Sequence, residues 1–361
     1  MRNGRRFNYV LSAIVIVTIL LLSACGGDSQ ENVGKKIEKQ LSQVDGYKAQ
    51  AEMIMKTGQE ERKYDIDIWY QKADAELYRV DLANEADDHR QTILKNEEGV
   101  FVLTPILNKS FKFQSDWPEK NGQPYLYQSL IQDIVEDNEA VFTTHDDYYM
   151  YKTKTNYMNN KQLPYQHVYF NKKTYLPMYV QVLDESEEPL IEVKFTAMDV
   201  NPTFTEADFN REAILGAANH EDSGDEAESE DTESEETIGR EMSSELPLES
   251  AELLLPAVTK GADLVETEEV TGDESTRTIM TFKGERNFTL IQEQGDSMPA
   301  MSTAPSEMRG ELVHLGHSIG AVTNDMIEWN YKGRQFYLAS EELTIDELID
   351  VASSVYSKSV K

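Results

Sequence analysis

Between residues 47 and 70 the chain alternates apolar and polar positions with period two. Tyr47, Ala49, Ala51, Met53 and Met55 share one face, and Lys48, Gln50, Glu52, Ile54 and Lys56 the other. Tyr64, Ile66, Ile68 and Tyr70 then oppose Lys63, Asp65, Asp67 and Trp69. A half-buried strand has this period, because successive side chains leave opposite sides of the sheet. Further strands are predicted at 77–82, 90–95, 100–104, 110–114, 148–153, 165–170, 177–183 and 190–196. Turn-forming clusters such as Asn96-Glu97-Glu98-Gly99, Asn171-Lys172-Lys173 and Asp184-Glu185-Ser186 separate them, so the strands join as sequence-adjacent hairpins.

Two stretches change to helical period. Val33, Ile37, Leu41 and Val44 form one apolar stripe, and Leu126, Leu130, Ile131, Ile134 and Val135 another, after turn signals at Asn121-Gly122 and Pro124. A long antiparallel sheet with two amphipathic helices buries its apolar face in one of two ways. Either the helices fill the concave side, or they cover it as a lid over a cavity. The fold class predicted is mainly β, α+β.

A composition break ends this first domain, 35–212. From Glu221 to Glu236 ten of sixteen residues are acidic and none is basic or aromatic. Such a stretch cannot bury enough apolar surface to fold, so 216–245 is predicted to be an extended, self-repelling linker. Foldable sequence resumes over 246–361, a smaller α+β domain. Its strands are predicted at 276–283, 286–293, 311–315, 326–331 and 335–339, with hairpin turns at Lys283-Gly284-Glu285 and Lys332-Gly333-Arg334. A capping box, Thr344 to Glu347, opens a last helix with Leu348, Ile349, Ala352 and Val355 on one face.

The N-terminus adds an address. Arg2, Arg5 and Arg6 precede an apolar run from Val10 to Leu22 and then Ser23-Ala24-Cys25, the pattern of a secretory signal. Cys25 is the only cysteine, so no disulfide within the chain is possible. Leu22-Ser23-Ala24-Cys25 resembles the lipobox of bacterial lipoproteins. That resemblance implies a signal peptide at 1–24, a tether at 25–34 and a diacylglyceryl-cysteine at Cys25 holding the protein on the outer face of the cell membrane. Loss of three arginines and no acid would take the net charge from −32 to −35. That balance excludes nucleic acid as a partner, since phosphates call for Lys and Arg patches.

Candidate chemistry is sparse. Gly316-His317-Ser318-Ile319-Gly320 fits the G-x-S-x-G of a hydrolase nucleophile elbow. Such an elbow needs a helix after the serine and a histidine downstream, and no histidine follows Gly320. Ser318 is therefore expected to be a surface or turn hydroxyl, with Gly316 and Gly320 as turn punctuation. With no metal-binding, P-loop or dinucleotide motif, the chain is predicted to be no enzyme and to carry no cofactor or metal.

Several ordered stretches carry a family resemblance: Tyr47-Lys48-Ala49, Tyr64 to Tyr70, Leu77-Tyr78-Arg79-Val80, Gly99 to Pro105 and Ser110 to Pro118. Over about 35–211 they resemble the YdcC-type sporulation lipoproteins of bacilli, within the LolA-like superfamily of lipoprotein carriers and sensors. The resemblance implies an unclosed antiparallel β-barrel whose helical lid closes an apolar cavity. It makes Met53, Met55, Ile66, Ile68, Phe111 and Phe113 candidate cavity lining and Arg79 a candidate lid contact. The stretch from Ile327 to Ser353 is similar to the DUF4367 family, which implies no chemistry. A ligand in the cavity would be apolar, such as a lipid or the acyl chain of another lipoprotein. The alternative is an envelope sensor or interaction scaffold with a filled barrel, binding a protein partner through aromatics such as Trp69, Trp117 and Tyr179.

Overall fold

The computed structural model describes residues 28–56, 61–84, 89–105, 109–114, 123–157, 161–221, 253–272, 275–295 and 305–355. Cys25, the tether up to Gly27, most of the acidic linker and Trp117 lie outside them. Helix α1 (Gln30–Ser42) opens the described chain, followed by β1 (Gly46–Met55), β2 (Arg62–Gln71), β3 (Leu77–Asn84), β4 (His89–Asn96), β5 (Gly99–Thr104) and β6 (Lys109–Phe113). Then come α2 (Tyr127–Glu136), β7 (Val141–Thr144), β8 (Tyr148–Lys154), β9 (Tyr165–Asn171), β10 (Pro177–Leu183) and β11 (Pro189–Val200). A short 3-10 turn (Glu206–Phe209) and α3 (Arg211–Glu221) end the first part, so the chain is still helical at 216–221, where the sequence suggested linker. The second part contains β12 (Ala262–Thr271), β13 (Ser275–Gly284), β14 (Phe288–Gly295), β15 (Ser306–Met308), β16 (Glu311–His314), β17 (Ile319–Val322), β18 (Met326–Tyr331), β19 (Arg334–Ala339) and α4 (Ile345–Ser353).

The fold is mainly β, in two sheets. The larger has twelve strands in the order β15-β6-β5-β4-β3-β2-β1-β11-β10-β9-β8-β7, with β15 and β7 as its edges, and is therefore unclosed. Every pairing in it is antiparallel except β15 on β6, which is parallel. Strand β15 comes from the second half of the chain, so the first sheet takes its last strand from beyond the acidic stretch. The smaller sheet runs β12-β13-β14-β19-β18-β17-β16, all antiparallel. Between β18 and β19, Lys332 (φ 48°) and Gly333 (φ 73°) make a two-residue hairpin loop whose positive φ values match the strand twist.

Alternation along β1 and β2 holds as the pattern required: Tyr47, Ala49, Ala51, Met53 and Met55 are buried, as are Tyr64, Ile66, Ile68 and Tyr70. They pack on Val33 and Ile37 of α1 and Leu130 and Ile131 of α2 in one core. Tyrosine hydroxyls fix the helices to the sheet. Tyr47 Oη donates to Gln128 Oε1 at 3.0 Å and accepts from the Tyr127 N–H at 3.3 Å, and Tyr151 Oη donates to the Gln30 carbonyl at 3.0 Å. Side chains of both helices thus cover the buried face of β1 and β2, with the Tyr47 and Tyr151 hydroxyls satisfied as buried tyrosines require.

The opposite face of β4 and β5 is covered too. Leu94, Phe101 and Leu103 pack against Phe209, Ile214 and Leu215 of the 3-10 turn and α3. In the second unit, β13, β14, β18 and β19 enclose Met280, Leu290, Trp329, Phe336 and Leu338 beneath Leu348, Val351 and Ala352 of α4. Thr344 Oγ1 accepts from the Glu347 N–H at 3.3 Å, and the Glu347 carboxylate accepts from the Thr344 N–H at 2.9 Å, completing the expected capping box.

Candidate functional site

Open space lies at one end of the first sheet, where the second unit docks. A partly open cavity of about 330 Å³ lies there. Met53 and Met55 of β1, Leu190 and Ile191 of β11, and Tyr125, Tyr157 and Leu163 from neighbouring loops form one wall. Leu312, Val313 and His314 of β16, and Ile349 and Ser353 of α4, form the other. Apolar walls with a few polar groups are the usual make-up of a small-molecule site, and this volume is at the small end of their range.

The charged groups lining it are paired. Lys56 Nζ lies 2.8 Å from Glu192 Oε1, and Lys260 Nζ 2.5 Å from Asp350 Oδ2. Gln162 Nε2 also donates to Asp350 Oδ2, at 2.6 Å, tying a loop of the first unit to α4 of the second. His314 is neutral, since burial and the nearby Arg62 charge pull its pKa down to about 4. Burial raises the Tyr125 and Tyr157 hydroxyls above the ordinary tyrosine value, so both stay protonated. A polar relay runs inward from Tyr157, whose hydroxyl donates to Gln166 Oε1 at 3.4 Å while Gln166 Nε2 donates to Asp133 Oδ2 at 2.5 Å.

The lining residues inferred from the sequence separate into two groups. Met53 and Met55 border the cavity. Ile66, Ile68, Phe111 and Phe113 are buried in the shared core and do not line it. The lid role suggested for Arg79 is not what the structure shows. Its neighbours Tyr78 and Val80 face the helix-covered side, so alternation sends Arg79 to the other face. There Nε pairs with Asp81 Oδ2 at 2.8 Å, a terminal nitrogen donates to the Asp208 carbonyl at 3.4 Å, and the guanidinium carbon sits 4.5 Å from the Trp69 ring centre. Arg79 therefore braces the 3-10 turn. Trp69 packs in the same cluster with Lys48, 4.0 Å from its ring centre, and the Tyr179 hydroxyl donates to Glu192.

The G-x-S-x-G stretch is a piece of the unit junction. Gly316 (φ 83°) turns the chain, and Ser318 leads directly into β17, with no helix after it. Ser318 is 3% exposed and its hydroxyl donates to the Asn330 carbonyl at 2.5 Å, which corrects its expected surface position. Across the junction, Gln91 Oε1 of β4 accepts the Ile319 N–H at 2.9 Å. Gly320 lies inside β17 and is no turn residue: a Cβ there would come within 2.9 Å of the Glu328 carbonyl oxygen. The second wall of the cavity, the Gln91 contact and the buried Asp133 were all missed by sequence reasoning. Only Asp133 had a local signal, since 126, 130 and 133 share a helix face.

An open, helix-covered antiparallel sheet joined to a second β unit across a ligand-sized cavity is the class of protein defined here. The chain belongs to the YdcC-like sporulation protein family: the family described as "Sporulation protein YdcC-like" matches residues 6–209. Sporulation protein YdcC of Bacillus subtilis (strain 168) is 38% identical over 356 residues, 99% of each chain. Among solved structures, the complex of Pseudomonas aeruginosa MucA/MucB is 12% identical, covers 91% of this chain and 99% of that one, and has a TM-score of 0.33. A putative outer membrane lipoprotein-sorting protein domain from Vibrio parahaemolyticus is 13% identical over 51% and 97%, with a TM-score of 0.31.

Proposed function

We propose that this protein is a membrane-anchored, extracytoplasmic lipoprotein of the sporulating cell that holds a small apolar ligand without transforming it. The observation that carries the reading is the cavity of about 330 Å³ between the two units, with methionine, leucine and isoleucine walls. Its size suits one acyl chain or a molecule of similar bulk better than the several chains of a complete lipoprotein anchor. Cys25 and the signal before it support the anchor, and the name of the Bacillus subtilis relative supports a role in sporulation. Ser318, hydrogen-bonded to a backbone carbonyl and followed by a strand, supports a non-enzymatic reading.

The test is to extract the full chain from membranes in lipid nanodiscs and identify co-purifying small molecules by mass spectrometry. One apolar species should accompany the parent and be lost from Leu190→Trp, which fills the cavity from its wall. A parent without any such species beyond bulk lipid would contradict the reading. The helix-covered face of β1 and β2 favours a second reading, an envelope scaffold. That reading would be supported by a stoichiometric protein partner retained by both parent and Leu190→Trp.

A further inference from the structure

A strand at the edge of a sheet presents a row of unpaired N–H and C=O groups, and proteins keep such edges short or covered. Three of the four sheet edges here obey that rule: β15 has three residues, and β7 and β16 have four each. Strand β12 breaks it with ten. Every residue from Asp263 to Thr271 is exposed, and three of them are branched apolar side chains, Leu264, Val265 and Val270. Among the described residues nothing pairs with the outer side of β12.

Pairing with β13 determines which backbone groups face outward. At the hairpin end the Gly272 N–H donates to the Ser275 carbonyl at 2.8 Å. Bonded and non-bonded pairs alternate along an antiparallel ladder, so the backbone groups of Thr271, Glu269 and Thr267 point away from β13. A register shift between Leu264 and Glu266 ends the regular edge, which runs over 266–271.

Charge then decides between occupants. Asp263, Glu266, Glu268 and Glu269 are acidic, and no residue of β12 is basic. On β13, Arg277 opposite Val270 is held by Glu293 at 3.1 Å. A second copy added antiparallel and centred on residue 267, 268 or 269 would set glutamates against each other, and like charges directly opposite are destabilising. We propose that β12 takes an added strand from a partner protein, an extended basic segment with Lys or Arg opposite Glu266 and Glu268 and a β-branched residue opposite Val270. Main-chain bonds to Thr267, Glu269 and Thr271 supply affinity, and the alternating side chains supply specificity. This surface belongs to the second unit and does not depend on ligand holding by the cavity.

The experiment is fluorescence anisotropy of a labelled peptide, Thr-Val-Lys-Lys-Thr-Lys-Val-Thr, titrated with the full chain in zwitterionic nanodiscs, with empty nanodiscs subtracted. In antiparallel register its third and fifth amides face Glu269 and Thr267. A copy N-methylated at those two amides keeps every charge and loses both donors, and should bind roughly tenfold more weakly. A copy with glutamate at each lysine should lose at least as much. Thr267→Pro removes an outward N–H and leaves the bonds to β13, so it should weaken the peptide about fivefold while the protein still folds. Glu266→Lys with Glu268→Lys should invert the preference between the lysine and glutamate peptides. Equal binding of the N-methylated copy would reduce the contact to general charge attraction and overturn the proposal, as would equal binding of the glutamate copy or no binding of the parent peptide. Self-association in sedimentation that Thr267→Pro abolishes would assign the edge to a second copy, against the proposal.

Discussion

Asp133 turns its carboxyl inward from α2, where only 5% of the residue is exposed. Burial pushes its pKa up to about 7, opposed by the hydrogen bond from Gln166 and a backbone N–H from Asn156 and reinforced by Glu136 and Asp137. The folded protein thus holds this proton more tightly than the unfolded chain, whose aspartate titrates near 3.8. The resulting stabilisation is complete below pH 3.8, falls as pH rises towards 7 and is flat above. Asp133→Asn keeps an acceptor for Gln166 and carries no charge. Between pH 4 and 8 the parent should lose roughly 2–4 kcal/mol relative to this variant in urea unfolding; parallel pH profiles would contradict the assignment. At Ser318, replacement by Ala should cost roughly 1–2 kcal/mol by leaving the Asn330 carbonyl without its donor. Neither the parent nor Ser318→Ala should hydrolyse a chromogenic ester, and turnover by the parent that Ser318→Ala removes would restore the hydrolase reading. Identity misled at Ser318: a serine looks like a surface residue in a sequence, and its burial came from partners distant in the chain.

At the scale of elements, what could be read from the sequence depended on how many faces of a strand are buried. Strands β1, β2 and β3 bury one face, and their period of two shows it. Strand β12 is exposed from Asp263 to Thr271 and β7 has no fully buried residue, so neither carries an alternation to find. Strand β17 is the reverse, with all four residues buried between β16, β18 and the first unit. Arg79 shows the limit of a motif carried over without its face, because one residue of offset moves a side chain to the other side of the sheet. Strand β15 is hardest to foresee, a three-residue parallel addition with no local signature. Its Met308 is buried in the core of the first sheet. Met308→Ala should therefore destabilise the protein by about 2–3 kcal/mol in chemical denaturation. An unchanged midpoint would mean that β15 does not hold its place in that core.

For the whole molecule, the two units share a core and a cavity. Met308, Leu312, Ile319 and Ala321 from the second half pack with the first sheet, and hydrogen bonds join Gln91 to Ile319 and Gln162 to Asp350 across the junction. The sequence suggested two domains about an acidic stretch; the first sheet also takes β15 from beyond that stretch, and the site at the contact of the units depends on which surfaces meet. Neither wall is complete alone, so ligand occupancy and docking of the units should reinforce one another. The most direct measurement is photo-crosslinking of the full chain in nanodiscs with a diazirine-bearing octanamide, followed by peptide mapping. Adducts on peptides containing Met53–Lys56, Leu312–His314 and Ile349–Ser353, suppressed in Leu190→Trp, are the predicted result. Adducts confined to other surfaces, or equally abundant in Leu190→Trp, would contradict a ligand held between the two units.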